Sequence, residues 1–130
     1  MKIDKILFRE GPYSDFFSQG VQVGNILTLA GQLGNSGDGE IPGSIREQME
    51  NCYKNKEDVL KKFWSSLDNI IDETWFVTDV NECMKDVSEN FNEREIIYGC
   101  KPAVSQTLVG ISALVQPQYK LEIKVIAYLD

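Results

Sequence analysis

Apolar residues occupy every odd position from Leu121 to Leu129, as Leu121, Ile123, Val125, Ala127 and Leu129. The even positions between them carry Glu122, Lys124, Ile126 and Tyr128. This period of two predicts a strand over 119–129 with its odd face against a core. The charges of Glu122 and Lys124 give the even face to solvent or to a site. The alternation recurs over 107–115, where Val109, Ile111, Ala113 and Val115 share a side, and over 17–23. Gly24-Asn25 separates the latter run from 26–30, and two such residues between apolar runs predict a hairpin. Residues 2–8 read as a first strand. Residues 69–78 carry large apolar groups on both sides (Ile70, Ile71, Trp75, Phe76, Val77), the pattern of a central strand.

Two stretches switch to helical spacing. Ser44-Ile45-Arg46-Glu47 fits a capping box, and Ile45, Met49, Cys52, Val59, Leu60 and Phe63 then form a stripe that predicts a helix over 45–64. Lys56 interrupts the stripe, and its stem is expected to snorkel to the edge. Asp79-Val80-Asn81-Glu82 is a second cap signal, followed by Cys83 or Met84, Val87 and Phe91 on a short helix. Between hairpin and first helix, residues 31–43 hold five glycines and Pro42 and read as a loop with no packing face of its own. Loops of that length are often functional. The order of elements predicts an α+β fold in one domain, 1–130, with a mixed sheet and two helices packed on one face.

Composition narrows the chemistry. An apolar fraction of 42% supports a sizeable core, and no apolar run reaches the ~18 residues of a membrane span. The opening residues, MKIDKILFRE, lack the pattern of a signal peptide, so a cytoplasmic protein is expected. A net charge of −7 disfavours nucleic acid as a partner. The densest basic cluster, Lys54, Lys56, Lys61 and Lys62, is interleaved with Glu57 and Asp58 and reads as a solvated helix face. With no histidine, Ser-His-Asp and Cys-His catalysis are excluded within one chain. Cys52, Cys83 and Cys100 are widely spaced and read as reduced structural thiols, not as zinc ligands.

Seven segments in order resemble the RidA family, also called YjgF or endoribonuclease L-PSP. They are Phe17 to Asn25, Leu29 to Gly34, Gly39 to Gly43, Trp75 to Asn81, Lys101-Pro102-Ala103, Leu108 to Ile111 and Leu121 to Ala127. The resemblance implies a chorismate-mutase-like fold and a homotrimer whose sheets pack into a central barrel, with small-molecule ligands bound in clefts between subunits. It implies hydrolysis of reactive enamines and imines to a 2-oxo acid and ammonia, with no cofactor and no metal. The sheet's uncovered face would supply the trimer contact, because an apolar face of that size marks an interface.

The family's site residues carry over unevenly. The glutamate that places the attacking water matches Glu122, the catalytic candidate. The carboxylate-binding arginine does not match. Its segment here is Pro102-Ala103-Val104-Ser105-Gln106-Thr107, apparently two residues longer, so its place falls at Val104 or Gln106 depending on the direction of counting. The pocket tyrosine falls at Phe17, and the asparagine of the second helix near Ser88 or at Asn90. Gly31 shapes the cleft wall. Phe17, Gln106, Ser88 and Gly31 are the substrate-binding candidates. Arginine offers a carboxylate a charged fork that glutamine lacks, a difference of ~1.5–3 kcal/mol. The usual reaction on 2-imino acids is therefore weakened unless Arg9, Arg46 or Arg94, the remaining arginines, reach the cleft. A trimer that binds a small metabolite without turning it over is the alternative.

Overall fold

A computed structural model describes residues 2–130. Its strands are β1 (Ile6–Phe8), β2 (Gly20–Val23), β3 (Ile26–Leu29), β4 (Gln32–Leu33), β5 (Ile70–Val77), β6 (Ser105–Gly110) and β7 (Leu121–Tyr128). Its helices are α1 (Ile45–Lys61), α2 (Val80–Lys85) and α3 (Val87–Tyr98). The strands form one mixed sheet in the order β1-β2-β3-β7-β5-β6, with β4 also paired to β7. β7 lies at the centre, antiparallel to β3, β4 and β5, and only β5 and β6 run parallel.

The odd residues of β7 face the helices. Leu121, Ile123, Val125 and Ala127 are at most 1% exposed and pack with Leu27, Leu29, Met49, Cys52, Tyr53, Leu60, Trp75 and Val77. Burying each such aliphatic side chain stabilises the fold by roughly 1.5–3 kcal/mol. The central β5 divides its bulk between the faces: Trp75 is in the core and stacks on Phe91 of α3, while Phe76 lies on the open face beside Glu122. The β2–β3 connection is the expected hairpin, with Val23 opposite Ile26 and Gly24 at φ 56°. A positive φ at the first central residue is what a type II′ turn requires.

Five expectations change. The strand expected over 107–115 is earlier and shorter, Ser105–Gly110, with Leu108 and not Val109 toward the core, and the chain beyond Gly110 turns away from the ladder. The second helical stretch is two helices, broken at Asp86, which makes three in all. The loop over 31–43 contains the two-residue strand β4 and is held by side chains of α1. Asn55 donates to the carbonyls of Leu33 (2.9 Å) and Asn35 (3.0 Å), and Asn51 to that of Gly34 (3.1 Å). Gln48, fully buried, donates to Pro42 and Gln118 and accepts from the Lys120 N–H. Apart from Leu33 these backbone groups lie outside the strands, so the amides of one helix face supply the bonds the loop needs. Lys56 is not at the edge: it is completely buried, and its ammonium donates to the Ile123 carbonyl. Finally, Cys100 is exposed, while Cys52 and Cys83 are buried. The first helix begins at its cap as expected, since Ser44 accepts from the Glu47 N–H at 3.1 Å.

Candidate functional site

β3 and β4 pair with the same edge of β7 but at different places. β3 covers Ile126–Tyr128 and β4 covers Glu122–Ile123. Between them the chain steps outward at Ala30 and Gly31, leaving a break in the ladder. Glu122 lies beside this break on the open face. A Cβ built at Gly31 would stand 2.5 Å from Glu122 Oε2 and 2.6 Å from its Cδ, so the carboxyl group rests against the glycine backbone. Any larger residue at 31 would expel it. The Glu122 carboxyl is half-buried, and among the described residues no hydrogen bond to it is found. Burial raises its proton affinity above the ordinary carboxylate value, against the opposing pull of Lys56 and Lys124. A carboxyl with spare acceptor capacity and raised basicity can take a proton from water.

An aromatic loop is tied to the chain at Ala30. Gln19 donates from its backbone to Phe8 and accepts from the Ala30 N–H at 2.9 Å, which ties residues 11–19 to the outward step. Phe17 is 42% exposed and lies parallel to Tyr13, with ring centroids 5.7 Å apart and an interplanar angle of 17°. Tyr13 thus places a hydroxyl next to the ring that has none. This residue was not among the sequence candidates. The four-residue spacing of two aromatic rings after Gly11-Pro12 was the available signal.

The remaining candidates lie elsewhere in the protomer. Gln106 pairs with Glu73 in the parallel register of β5 and β6, so its side chain is on the helix side, the opposite face from Glu122. Its Nε2 is buried without a hydrogen-bond partner. Val104, the other position counted for the arginine, is half-buried against the core. Ser88 is exposed in the first turn of α3, whereas Asn90 is buried and donates to the Cys83 carbonyl at 3.3 Å. A cleft of about 250 Å³ lies between the start of α1 and the α2–α3 junction, lined by Arg46, Glu82, Asp86, Glu89 and Asn90 among others. It does not include Glu122. The structure therefore brings Glu122 and Gly31 together in one protomer. Gln106 and Ser88 are on other surfaces, which a second copy of the chain would have to bring near them.

None of the three arginines is paired with Glu122. Arg94 is buried and bound to Glu73, with its Nε 2.7 Å from one carboxylate oxygen and a terminal nitrogen 2.7 Å from the same oxygen. Glu73, itself fully buried, also accepts from Tyr53 (3.0 and 3.1 Å) and Tyr98 (2.9 Å). That carboxylate is saturated, and its arginine is committed to it. Arg9 is on the surface, donating to the Ser14 carbonyl at 3.1 Å, and Arg46 lines the cleft beside α2. Among the described residues no cluster suited to a metal ion occurs, and no helix is long and apolar enough to cross a membrane.

Comparison with known proteins bears on this arrangement. The family model described as Endoribonuclease L-PSP matches residues 10–129. The RutC family protein YjgH of Escherichia coli is 31% identical over 111 residues, covering 85% of this chain and 81% of that protein. A protein of Dermatophagoides farinae named 2-iminobutanoate/2-iminopropanoate deaminase is 28% identical over 108 residues, covering 80% of this chain and 76% of its own. The crystal structure of yeast Mmf1 superimposes with a TM-score of 0.77 at 25% identity, covering 100% of this chain and 98% of the other.

Proposed function

This chain belongs to the endoribonuclease L-PSP family, and from that footing we propose that it is a cofactor-free hydrolase of small enamines and imines. It works in clefts between the subunits of a homotrimer, with Glu122 as its base. The observation that carries the reading is the Glu122 carboxyl: half-buried, without a hydrogen bond among the described residues, raised in basicity by burial and held against Gly31. One relative is named for the deamination of 2-imino acids, which is the chemistry such a group suits. Glu122 takes a proton from water as the water oxygen bonds to the imine carbon. The proton then passes to the substrate nitrogen to give a carbinolamine; Glu122 next carries the hydroxyl proton to the amino group, the C–N bond breaks as the C=O forms, and ammonia leaves a 2-oxo product. Phe17 and Tyr13 offer an aromatic wall for the carbon chain, and Gly31 fixes the backbone beneath the carboxyl. Ser88 would enter the same cleft from a neighbouring subunit, whereas Gln106 would first have to turn its buried amide out from the helix side. Unpaired thiols suit a reducing compartment such as the cytoplasm.

The open face of the sheet supports the trimer. Leu7, Val21, Ile26, Phe76, Val109, Ile126 and Tyr128 fall on it by register, and seven apolar groups on one uncovered surface favour an interface. A second reading is favoured by the fate of the arginines. With Arg94 committed to Glu73, and with Val104 and Gln106 both uncharged, a 2-imino acid finds no charged fork on these residues. A trimer that binds an uncharged small metabolite without hydrolysing it would need none.

The two readings separate in one assay. An amino-acid oxidase generates 2-iminobutanoate or 2-iminopropanoate, semicarbazide traps it, and a hydrolase lowers the yield of trapped product. The expected result is a decrease that Glu122→Ala abolishes and Gln106→Arg enhances. Unchanged trapping at high protein concentration would eliminate the hydrolase and leave the binding trimer.

A further inference from the structure

The apolar stripe of α1 has a charged residue at its centre. Lys56 follows Cys52 and precedes Leu60 by one turn each, and all three are fully buried. Lys54 on the same helix is exposed, so burial is specific to this position. The Lys56 ammonium donates to the Ile123 carbonyl, which belongs to the residue after Glu122. The ladder is open at this point, because neither β3 nor β4 pairs with Lys124 or Val125. Lys56 thus approaches the break from the helix side. Glu122 covers it from the open side, in the space that Gly31 leaves.

The charges that act on Lys56 are those of Cys52 on its own helix, Glu73 on β5, and Glu122 and Lys124 on the other face of β7. Glu73 is saturated by Arg94, Tyr53 and Tyr98, and the Cys52 thiol is held neutral by burial. Those acting on Glu122 are Lys56 and Lys124. Lys124 is exposed, and solvent screens its pull, whereas the ammonium of Lys56 is dry. An unpaired buried ammonium is costly, and helix positions of this kind ordinarily hold aliphatic residues.

We propose that Lys56 is the counter-cation of Glu122, set in the break between β3 and β4, and that it keeps the carboxylate ionised at neutral pH. In the reaction proposed above it is a positioning residue, since it acts through Glu122 and touches no substrate. Its catalytic consequence depends on that reading, but the coupling of the two charges does not. A nearby positive charge favours the ionised carboxylate, and the carboxylate in turn favours the protonated amine. Linkage makes the two effects equal in size.

NMR on the full chain, labelled at the glutamate carboxyl carbons and lysine side-chain nitrogens, tests this directly. In Lys56→Met the Glu122 midpoint should rise. In Glu122→Gln the Lys56 midpoint should fall from its value of about 8 by the same amount. In the unsubstituted protein the Glu122 signal should show a second, small step where Lys56 loses its proton, and this step should vanish in Lys56→Met. The acid limb of the imine-hydrolysis pH profile should move up with the Glu122 midpoint. Unmoved midpoints and the absence of a second step would overturn the proposal whatever the activity. Absent hydrolysis with moved midpoints would instead sink the hydrolase reading and leave the coupling intact. Should Lys56→Met fail to fold, the second step and the Glu122→Gln arm decide the matter.

Discussion

Replacing Lys56 by methionine tests how the core accommodates a charge, and the sign of the effect depends on pH. Burial pulls the Lys56 amine from 10.5 down to about 8. At ~1.36 kcal/mol per pH unit, keeping it protonated in the core costs about 3 kcal/mol at neutral pH. The methionine variant escapes that cost but leaves the Ile123 carbonyl without its donor, a loss of roughly 1.5–3 kcal/mol for a charged hydrogen bond. The two terms nearly cancel at neutral pH, so a single stability measurement there decides nothing. The pH dependence does decide. Because the folded value is below the unfolded one, the unfolded chain holds the extra proton between about pH 8 and 10.5, and stability rises with pH across that window. Below it the full cost is present. From about pH 7 to about pH 9 the unsubstituted protein should gain on the order of 1 kcal/mol that Lys56→Met does not. Cys52, held up at about 12, and the buried tyrosines Tyr53 and Tyr98, also raised, act with the opposite sign above their unfolded values. Both proteins share those groups, so they cancel in the difference. Urea unfolding at fixed protein concentration supplies the numbers. Parallel stability curves for the two proteins over this range would refute the buried-ammonium account.

Further outcomes follow from the same geometry. Gly31→Ala should leave the circular dichroism spectrum unchanged, because its φ is not positive, yet displace the Glu122 carboxyl and lower imine hydrolysis by about tenfold or more, the scale of one general base. Glu73→Ala should cost roughly 3–5 kcal/mol in urea unfolding, since it strands Arg94 in the core, whereas Glu73→Gln with Arg94→Met should recover most of that loss. Ile126→Glu places a charge at the middle of the open face and should convert a trimer to monomers in sedimentation velocity, with the far-ultraviolet spectrum kept.

Much of the fold was legible because its signals are local. The period of two in β7 is a property of eight consecutive residues, and the odd positions are the buried ones. The Gly24-Asn25 hairpin and the Ser44 cap are fixed by residues within one turn of each other. The break at Asp86 has no such signal, for neither glycine nor proline marks it, and the stripe of Cys83, Val87 and Phe91 runs through it. The loop over 31–43 looked unsupported because apolar patterning carries no information about amides. Gln48, Asn51 and Asn55 sit at spacings of three and four on one face of α1, and a stripe of amides can be read as readily as one of leucines once it is sought.

The site divides along the same line. Gly31 and Glu122 were both visible as residues, but their contact depends on an outward step of the chain that only the pairing of β3 and β4 with β7 defines. For Gln106 the obstacle is parity. A strand alternates its faces at every residue, so Val104 and Gln106, two residues apart, share a face whichever way residues 102–107 are aligned, and only the pairing with Glu73 shows that this is the helix side. The cation question was hardest, because sequence reasoning sends lysines to the surface on energetic grounds. Lys56 violates the rule, and the continuity of Cys52, Lys56 and Leu60 at one-turn spacing was the only local hint. A charge buried against the tendency of its own helix needs an opposing charge or a compensating bond nearby. Ile123 provides the bond, and Glu73 and Glu122 provide opposing charge from the two faces of the sheet, so the exception in α1 and the carboxyl on β7 belong to a single arrangement.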